Sequence, residues 1–308
     1  MKKIRLGRTG LVVSQLGYGA LEVWGTPTEG QMGRLPDEAR AGRVLNAALD
    51  AGINFFDTSW CYGRSEELMG RYISHRRDEY FLASKVGHVN CKPPKACGYT
   101  PGDPHGYSAE DLINCVQESL QRLRTDYLDI LQLHNPTPEE VEENGCIETL
   151  QRIKARGMTR FIGISTTLPY LDRHLAAEVY DVFQIPYSVL GAEHHDAITR
   201  VAENGSGTII RGVAHKNNPV DRMDVPERWR AFEEAGLDQF LDVGESRNSF
   251  LVRFALSHPH AHTLIVGTQN PDHLRDNVTA WGRGPLEPNV YAAVRLRMET
   301  AGLPWGPR

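Results

Sequence analysis

The sequence predicts an α/β fold: a (β/α)8 TIM barrel with an N-terminal β-hairpin plug and extra helices and loops. Three observations lead there. Eight short apolar runs of strand length alternate with helical stretches, with no break in composition, which predicts parallel strands joined by right-handed crossovers. No G-x-G-x-x-G follows the first strand, where an open doubly wound sheet binding a dinucleotide would carry it. Candidate ionisable residues stand at the ends of several different strands, and a barrel gathers such ends at one rim. The 308 residues are expected to form one domain over 1–308, since ~250 residues plus insertions is usual for this architecture.

Residues 2 to 13 read as a small hairpin. Ile4 and Leu6 precede the turn Gly7-Arg8-Thr9-Gly10, and Leu11, Val12 and Val13 follow it. The first barrel strand is Gln15 to Gly19, whose glycines, Gly19 among them, let a ligand approach the backbone closely. A helix is expected from about Asp37 to Ala51, with Asp37 as N-cap, Gly52 just past its end, and Val44, Leu45, Ala48 and Leu49 on one apolar face. Ile53 to Phe56 is the next strand, with Asp57 at its C-terminal end and Tyr62 in the loop that follows. A helix over 65–73 leads to the strand 80–86. Gly87 to Gly106 holds four prolines and two cysteines, is too long for a plain connection, and reads as a functional loop over the rim.

Ser108 to Asp111 starts the next helix in capping-box fashion, with Leu112, Val116, Leu120 and Leu123 as its buried stripe. The alternation then runs on. Strand 128–133 leads to helix 145–156, strand 160–164 to helix 170–178, and strand 182–187 to helix 193–203. Strand 207–213 is followed by an insertion that is helical over 227–241, then by helix 246–257. Strand 263–267 leads to helix 271–280, and a last helix covers 288–298.

Composition narrows the function. Hydrophobic residues at 40% suffice for a substantial core, and 24% charged residues is ordinary for a folded chain. A net charge of −5 and the lack of a long basic run argue against a nucleic-acid surface. The N-terminus carries the charge of a signal peptide without its apolar core, and no stretch is long enough to span a bilayer. The expectation is a cytoplasmic protein with a small-molecule substrate and neither nucleic acid nor membrane as partner. The five cysteines, Cys61, Cys91, Cys97, Cys115 and Cys146, include no C-x-x-C pair and read as reduced thiols, dispensable for chemistry. His258-Pro259-His260-Ala261-His262 and His194-His195-Asp196 invite a metal reading. Spacing of two just before a strand fits a loop at the bottom of the barrel better, so no metal is expected.

The strand-end residues come in motifs. Gly52-Ile53-Asn54-Phe55-Phe56-Asp57-Thr58-Ser59 with Tyr62-Gly63 and Ser65-Glu66, then Ser84-Lys85, then Gln132-Leu133-His134-Asn135-Pro136, follow one another across the chain and closely resemble the aldo-keto reductase superfamily. The resemblance implies a hairpin that plugs the barrel bottom and an NAD(P)H-dependent oxidoreductase. Such an enzyme reduces an aldehyde or ketone to an alcohol, or the reverse, by hydride transfer. It also implies Tyr62 as general acid, Lys85 and Asp57 as its support, and His134 as a donor to the carbonyl oxygen. Residue chemistry makes these roles workable. A carbonyl gains negative charge on oxygen as hydride arrives at carbon, so the site needs a proton donor and a preorganised electrostatic partner. A phenol ordinarily ionises near pH ~10; a nearby ammonium lowers that, and a carboxylate holds the ammonium in position. Singly, each residue has a plainer reading as a cap, a surface lysine or a strand terminator. At matching strand ends they make a catalytic set. Lys85 alone would also permit Schiff-base chemistry, as in class I aldolases, but that leaves Tyr62 without a role.

In the resembled family a Ser-Asn pair and a Gln hold the nicotinamide carboxamide. Ser165 and Gln184 match, with Thr166 in place of the amide. Arg211 stands where many relatives place an aromatic ring against the nicotinamide, and its planar guanidinium suits stacking or the pyrophosphate. The stretch from Gly267, Thr268 and Gln269 through Asn270-Pro271 and His273 to Asn277 resembles the segment that binds the adenosine phosphate, at a helix start with open N–H groups. The family's usual basic residues are missing, with Gly267 and His273 in their places. The expected cofactor is therefore NADP, with NAD as the alternative. Trp24, Trp60 and the 87–106 loop are expected at the substrate pocket, where aromatic walls favour apolar or aromatic carbonyl compounds. The alternative function is that of a nicotinamide-binding regulatory subunit of a channel, which some proteins of this fold are.

Overall fold

The computed structural model describes residues 1–24, 37–88, 106–213 and 225–301. Two short strands, β1 (Lys3–Arg5) and β2 (Val12–Ser14), pair antiparallel with Ile4 opposite Val13, and a 3-10 turn at Gly7–Thr9 joins them. The barrel follows: β3 (Leu16–Gly19), β4 (Phe55–Asp57), β5 (Phe81–Val86), β6 (Leu128–His134), β7 (Thr159–Ser165), β8 (Val182–Pro186), β9 (Gly207–Arg211) and β10 (Thr263–Val266). These strands pair in parallel in sequence order and β10 closes on β3, so the (β/α)8 barrel is the architecture and its sheet has no edge.

Around it lie α1 (Glu38–Asp50), α2 (Ser65–Tyr72), α3 (Ala109–Leu123), α4 (Pro138–Glu143), α5 (Cys146–Ala155), α6 (Leu171–Ala176), α7 (His195–Glu203), α8 (Val225–Glu234), α9 (Arg247–Leu256), α10 (Pro271–Arg283) and α11 (Pro288–Thr300). Among the described residues no helix is long and apolar enough to cross a membrane. Asp37 caps α1 by accepting from the Arg40 N–H, Gly52 beyond it has φ +86°, and Val44, Leu45, Ala48 and Leu49 are buried. The expected capping box at Ser108 is only half formed. Its Oγ accepts from the Asp111 N–H, while its own hydroxyl proton goes to the Asp111 carboxylate, so no reciprocal bond is made. In the buried stripe of α3, Cys115 and Ser119 join Leu112, Val116 and Leu123, and Leu120 is only half-buried. The full capping box belongs to α4, where Thr137 and Glu140 each bond the other's backbone N–H. The insertion expected to be helical over 227–241 divides at Gly236, whose φ of +63° ends α8 before a 3-10 turn at Leu237–Phe240. Most of the expected rim loop, 89–105, lies outside the described residues.

Side chains alternate across a strand, so residues two apart share a face. Phe55, Ala83, Ile130, Val182 and Ile209 point inward and pack with Leu6, Leu11 and Val13 of the hairpin. The hairpin is therefore the plug of one barrel end. Gly7 has φ +48°, and a Cβ there would lie 2.3 Å from the Gly207 nitrogen, so only glycine lets this turn seat against β9. A second, larger apolar cluster fills the space between barrel and helices.

Candidate active site

Two residues beyond each inward-facing member of that inner layer, on the same face, stand Asp57, Lys85, Gln132, Gln184 and Arg211, and two beyond Gln132 stands His134. The apolar floor thus gives way to a polar layer at the C-terminal ends of the strands. The segment after β4 keeps pairing along β5, with the Thr58 N–H on the Ala83 carbonyl and the Trp60 N–H on the Lys85 carbonyl. A turn closed by the Tyr62 N–H on the Ser59 carbonyl then brings Tyr62 over Lys85.

Lys85 is wholly buried. Its Nζ lies 2.5 Å from Asp57 Oδ1, 2.9 Å from the Thr58 carbonyl and 3.4 Å from the Tyr62 hydroxyl. An ammonium has three protons, and each would find an acceptor here. Burial pushes the Lys85 ammonium below its ordinary range, and the adjacent Asp57 carboxylate opposes that shift. Asp57 is itself held from the far side, where Oδ2 accepts from Gln184 Nε2 at 2.8 Å and from Gln132 Nε2 at 3.0 Å.

His134 ends β6, with its ring edge-on to Tyr62 at 5.8 Å between centroids. Its Nδ1 lies 3.2 Å from Ser59 Oγ and 3.4 Å from Cys61 Sγ, and its carbonyl accepts from the Tyr107 hydroxyl at 2.8 Å. His88 stacks on it, centroids 3.9 Å apart and planes 13° from parallel. Gly87, just before His88, lets the Tyr107 ring pack against the backbone. Its φ is +112°, and a Cβ there would sit 2.1 Å from the Tyr107 ring.

The residues expected around a nicotinamide are distributed as follows. Ser165 pairs in register with both His134 and Gln184, and its hydroxyl donates to Asn135 Oδ1 at 3.0 Å. Thr166 is buried next to it. Arg211 ends β9, its Nε buried without a hydrogen-bond partner among the described residues; burial pushes the guanidinium down from its ordinary range, while Tyr62 and Asp57 pull the other way. Gly19 and Gly267 meet across β3 and β10, and a Cβ on Gly267 would come within 2.7 Å of the Gly19 carbonyl oxygen. Thr268 gives its carbonyl to the Tyr18 hydroxyl at 2.5 Å. Gln269 is half-buried, Asn270 caps α10, His273 is exposed in its first turn, and Asn277 is half-buried one turn on. Nearby, Arg275 pairs with Asp272 at 2.9 Å.

Trp60, expected at the substrate pocket, packs its indole on α3 instead, donating to Glu118 at 2.9 Å under the Arg122 guanidinium. Trp24 ends a 3-10 turn at Ala20–Trp24, and its side chain lies outside the described residues. Sequence reasoning gave no role to Gln132, Ser59 or His88. Gln132 and Ser59 stand inside the quoted motifs, and His88 comes three residues after Lys85, so position along the chain was the available signal.

A model of the Aldo/keto reductase family matches residues 16–296 of the chain. The chain is 28% identical to L-galactose dehydrogenase of Arabidopsis thaliana, over 89% of this chain and 86% of that protein. It is 34% identical to a probable voltage-gated potassium channel subunit beta of the same plant, over 93% of each. Among solved structures, the holo form of aldo-keto reductase AKR11C1 from Bacillus halodurans matches with a TM-score of 0.77 and 25% identity, covering 100% of this chain and 98% of that one.

Proposed function

Since the chain belongs to the aldo/keto reductase family, we propose that it interconverts an aldehyde or ketone and the corresponding alcohol with Tyr62 as general acid. The observation that carries this reading is the buried Lys85 ammonium, shared between Asp57 at 2.5 Å and the Tyr62 hydroxyl at 3.4 Å. That arrangement favours the phenolate left when Tyr62 gives its proton to the carbonyl oxygen. Asp57, fixed by two amides, holds the ammonium in place without moving. His134, whose Nδ1 is turned to Ser59 and Cys61, would orient the carbonyl oxygen through Nε2. In the reverse direction Tyr62 accepts the alcohol's proton.

A nicotinamide dinucleotide supplies the hydride when bound. The residues fit such a group: the orphaned Arg211 Nε stands at the same rim, and the exposed Gly267 backbone leads into the capped start of α10, where first-turn N–H groups suit a phosphate. Ser165, Thr166, Gln184 and Arg211 would hold its nicotinamide end, and Gly19, Gly267, Thr268, Gln269, His273 and Asn277 its phosphate end. The proposed preference is for NADPH, with weak rejection of NADH. A 2′-phosphate is held best by a guanidinium fork or an ammonium, and this segment offers mainly neutral donors, because Arg275 is paired with Asp272. Neutral hydrogen bonds support a preference of ~1–2 kcal/mol. The ratio of kcat/KM with NADPH to that with NADH should lie near ~10, and His273→Arg should raise it; a ratio below one overturns the preference.

The 34% identity to a probable channel subunit supports a second reading, binding of the cofactor with little turnover. One experiment separates the two: a cofactor titration by protein fluorescence, then a panel of aldehydes, ketones, aldoses and alcohols. Cofactor-dependent turnover on any of them supports the oxidoreductase. Tight cofactor binding with no turnover across the panel supports the regulatory subunit.

A further inference from the structure

We propose that Cys61, His88 and His134 form a binding site for a thiophilic divalent cation of the zinc type. Three segments far apart in the chain converge there: the turn after β4, the segment after β5 and the end of β6. Cys61 Sγ lies 3.4 Å from His134 Nδ1 and 3.9 Å from His88 Nδ1, and the three donor atoms all fall within 4.8 Å of one another. All three residues are buried. Tetrahedral zinc, with Zn–S of ~2.3 Å and Zn–N of ~2.0–2.1 Å, places its donors ~3.3–3.6 Å apart. The two sulfur–nitrogen separations lie within a few tenths of an ångström of that range. Ser59 Oγ lies 3.2 Å from both Cys61 Sγ and His134 Nδ1, beside the position open to a fourth donor.

The donor set decides the class of ion. One thiolate and two imidazoles select zinc, cadmium or cobalt over magnesium or calcium, which take oxygen ligands. One adjustment is required. The two imidazoles are nearly parallel, so their in-plane lone pairs do not yet share a focus, and the His88 ring has to turn toward the thiolate. The bonds made and broken balance simply: the Cys61 S–H loses its proton to solvent, and the sulfur and two ring nitrogens donate to the ion. An ion on His134 Nδ1 also leaves that ring's proton on Nε2. The site rests on the three donors alone and not on the reaction proposed above.

The test is a Co²⁺ titration of the full-length, metal-free protein. The expected result is saturation at one equivalent, with thiolate-to-cobalt charge-transfer absorption, tetrahedral visible bands and release of about one proton per ion. Cys61→Ser should abolish the charge-transfer band, and His88→Gln should weaken binding by about tenfold or more. Zn²⁺ should displace the cobalt and raise the Tm of the wild-type protein more than that of His88→Gln. No band in the wild-type protein overturns the proposal. So does a band that persists in Cys61→Ser, since it would report a different thiol. If Cys61→Ser does not fold, His88→Gln decides, and an unchanged Co²⁺ affinity there overturns the site.

Discussion

Tyr62 and Gln132 stand at different removes from the reacting atoms, and their substitutions separate accordingly. Tyr62→Phe removes a hydroxyl needed only as charge develops on the carbonyl oxygen, so the loss should fall on kcat and leave cofactor affinity unchanged. General acid catalysis is worth ~10²–10⁴-fold, and a fall in kcat of less than ~10-fold with a good carbonyl substrate would remove Tyr62 from the role. Gln132→Leu deletes one of two amide donors to Asp57 Oδ2. A hydrogen bond to a charged group contributes ~1.5–3 kcal/mol, so kcat should drop by about tenfold or more with KM little changed. An unaltered kcat would mean that Gln184 alone positions the carboxylate. The residues with the proposed catalytic roles were legible because each stands at or just beyond the C-terminal end of a strand in a short motif. Their supports were not, since Gln132 and Gln184 reach Asp57 across 75 and 127 residues of sequence, and nothing local announces such a contact. Trp60 was ambiguous for a related reason: an aromatic beside Tyr62 can face either side, and Glu118 on α3 decides which.

Among the elements, the hairpin has the most direct energetic test. Leu6 is wholly buried where the plug meets β9, and a Cβ on Gly207 would lie 2.7 Å from its side chain, so the fit is close. Leu6→Ala leaves a cavity and should cost ~2–5 kcal/mol, read as a lower urea midpoint with an unchanged m-value. A cost under ~1 kcal/mol would show that the plug collapses onto the hole. Strands and major helices could be read from period and caps because buried faces impose both. α4 could not, although Thr137 and Glu140 carry the capping signature, since Asn135-Pro136 reads as a turn and the helix is only six residues long. The helical pattern over 227–241 predicts one helix, whereas Gly236 divides it.

The molecule as a whole is tied together by neutral histidines, which ties its stability to pH. His258 donates from Nε2 to the His195 carbonyl at 3.0 Å and accepts the His260 N–H on Nδ1 at 3.1 Å. His262 accepts the Thr208 N–H on Nδ1, and His194 accepts the Leu168 N–H on Nε2, each at 3.0 Å. The imidazoles of His194, His258 and His262 thus serve as backbone anchors. His195 joins Tyr187 at 3.0 Å, and Tyr187 joins Tyr291 of α11 at 2.7 Å, which ties the last helix to the end of β8. Protonating a ring nitrogen that accepts an N–H breaks that bond and buries a charge. Burial accordingly pushes His194 and His258 down to about 3 and His195 to about 4, from 6.5; Arg211 adds to the shift at His194, Arg295 and His260 add to it at the other two, and Asp196 opposes it at His195. Folded values below unfolded ones fix the sign. Stability is complete above pH ~6.5, then falls as the pH drops, because the unfolded chain takes up protons that the folded chain refuses. Each such histidine contributes a slope of about 1.4 kcal/mol per pH unit within that window. Buried Glu66 and half-buried Glu193, raised by desolvation, act in the opposite sense. His174 and His262 are lowered by burial in the same sense, so the histidines outnumber those two carboxyls and the net change toward acid is a loss. Urea unfolding at pH 7, 6 and 5 should show it, and His258→Gln, less stable at pH 7, should show a shallower decline. A stability that stays level or rises from pH 7 to pH 5, with the same slope in His258→Gln, would mean that these imidazoles do not govern the acid response.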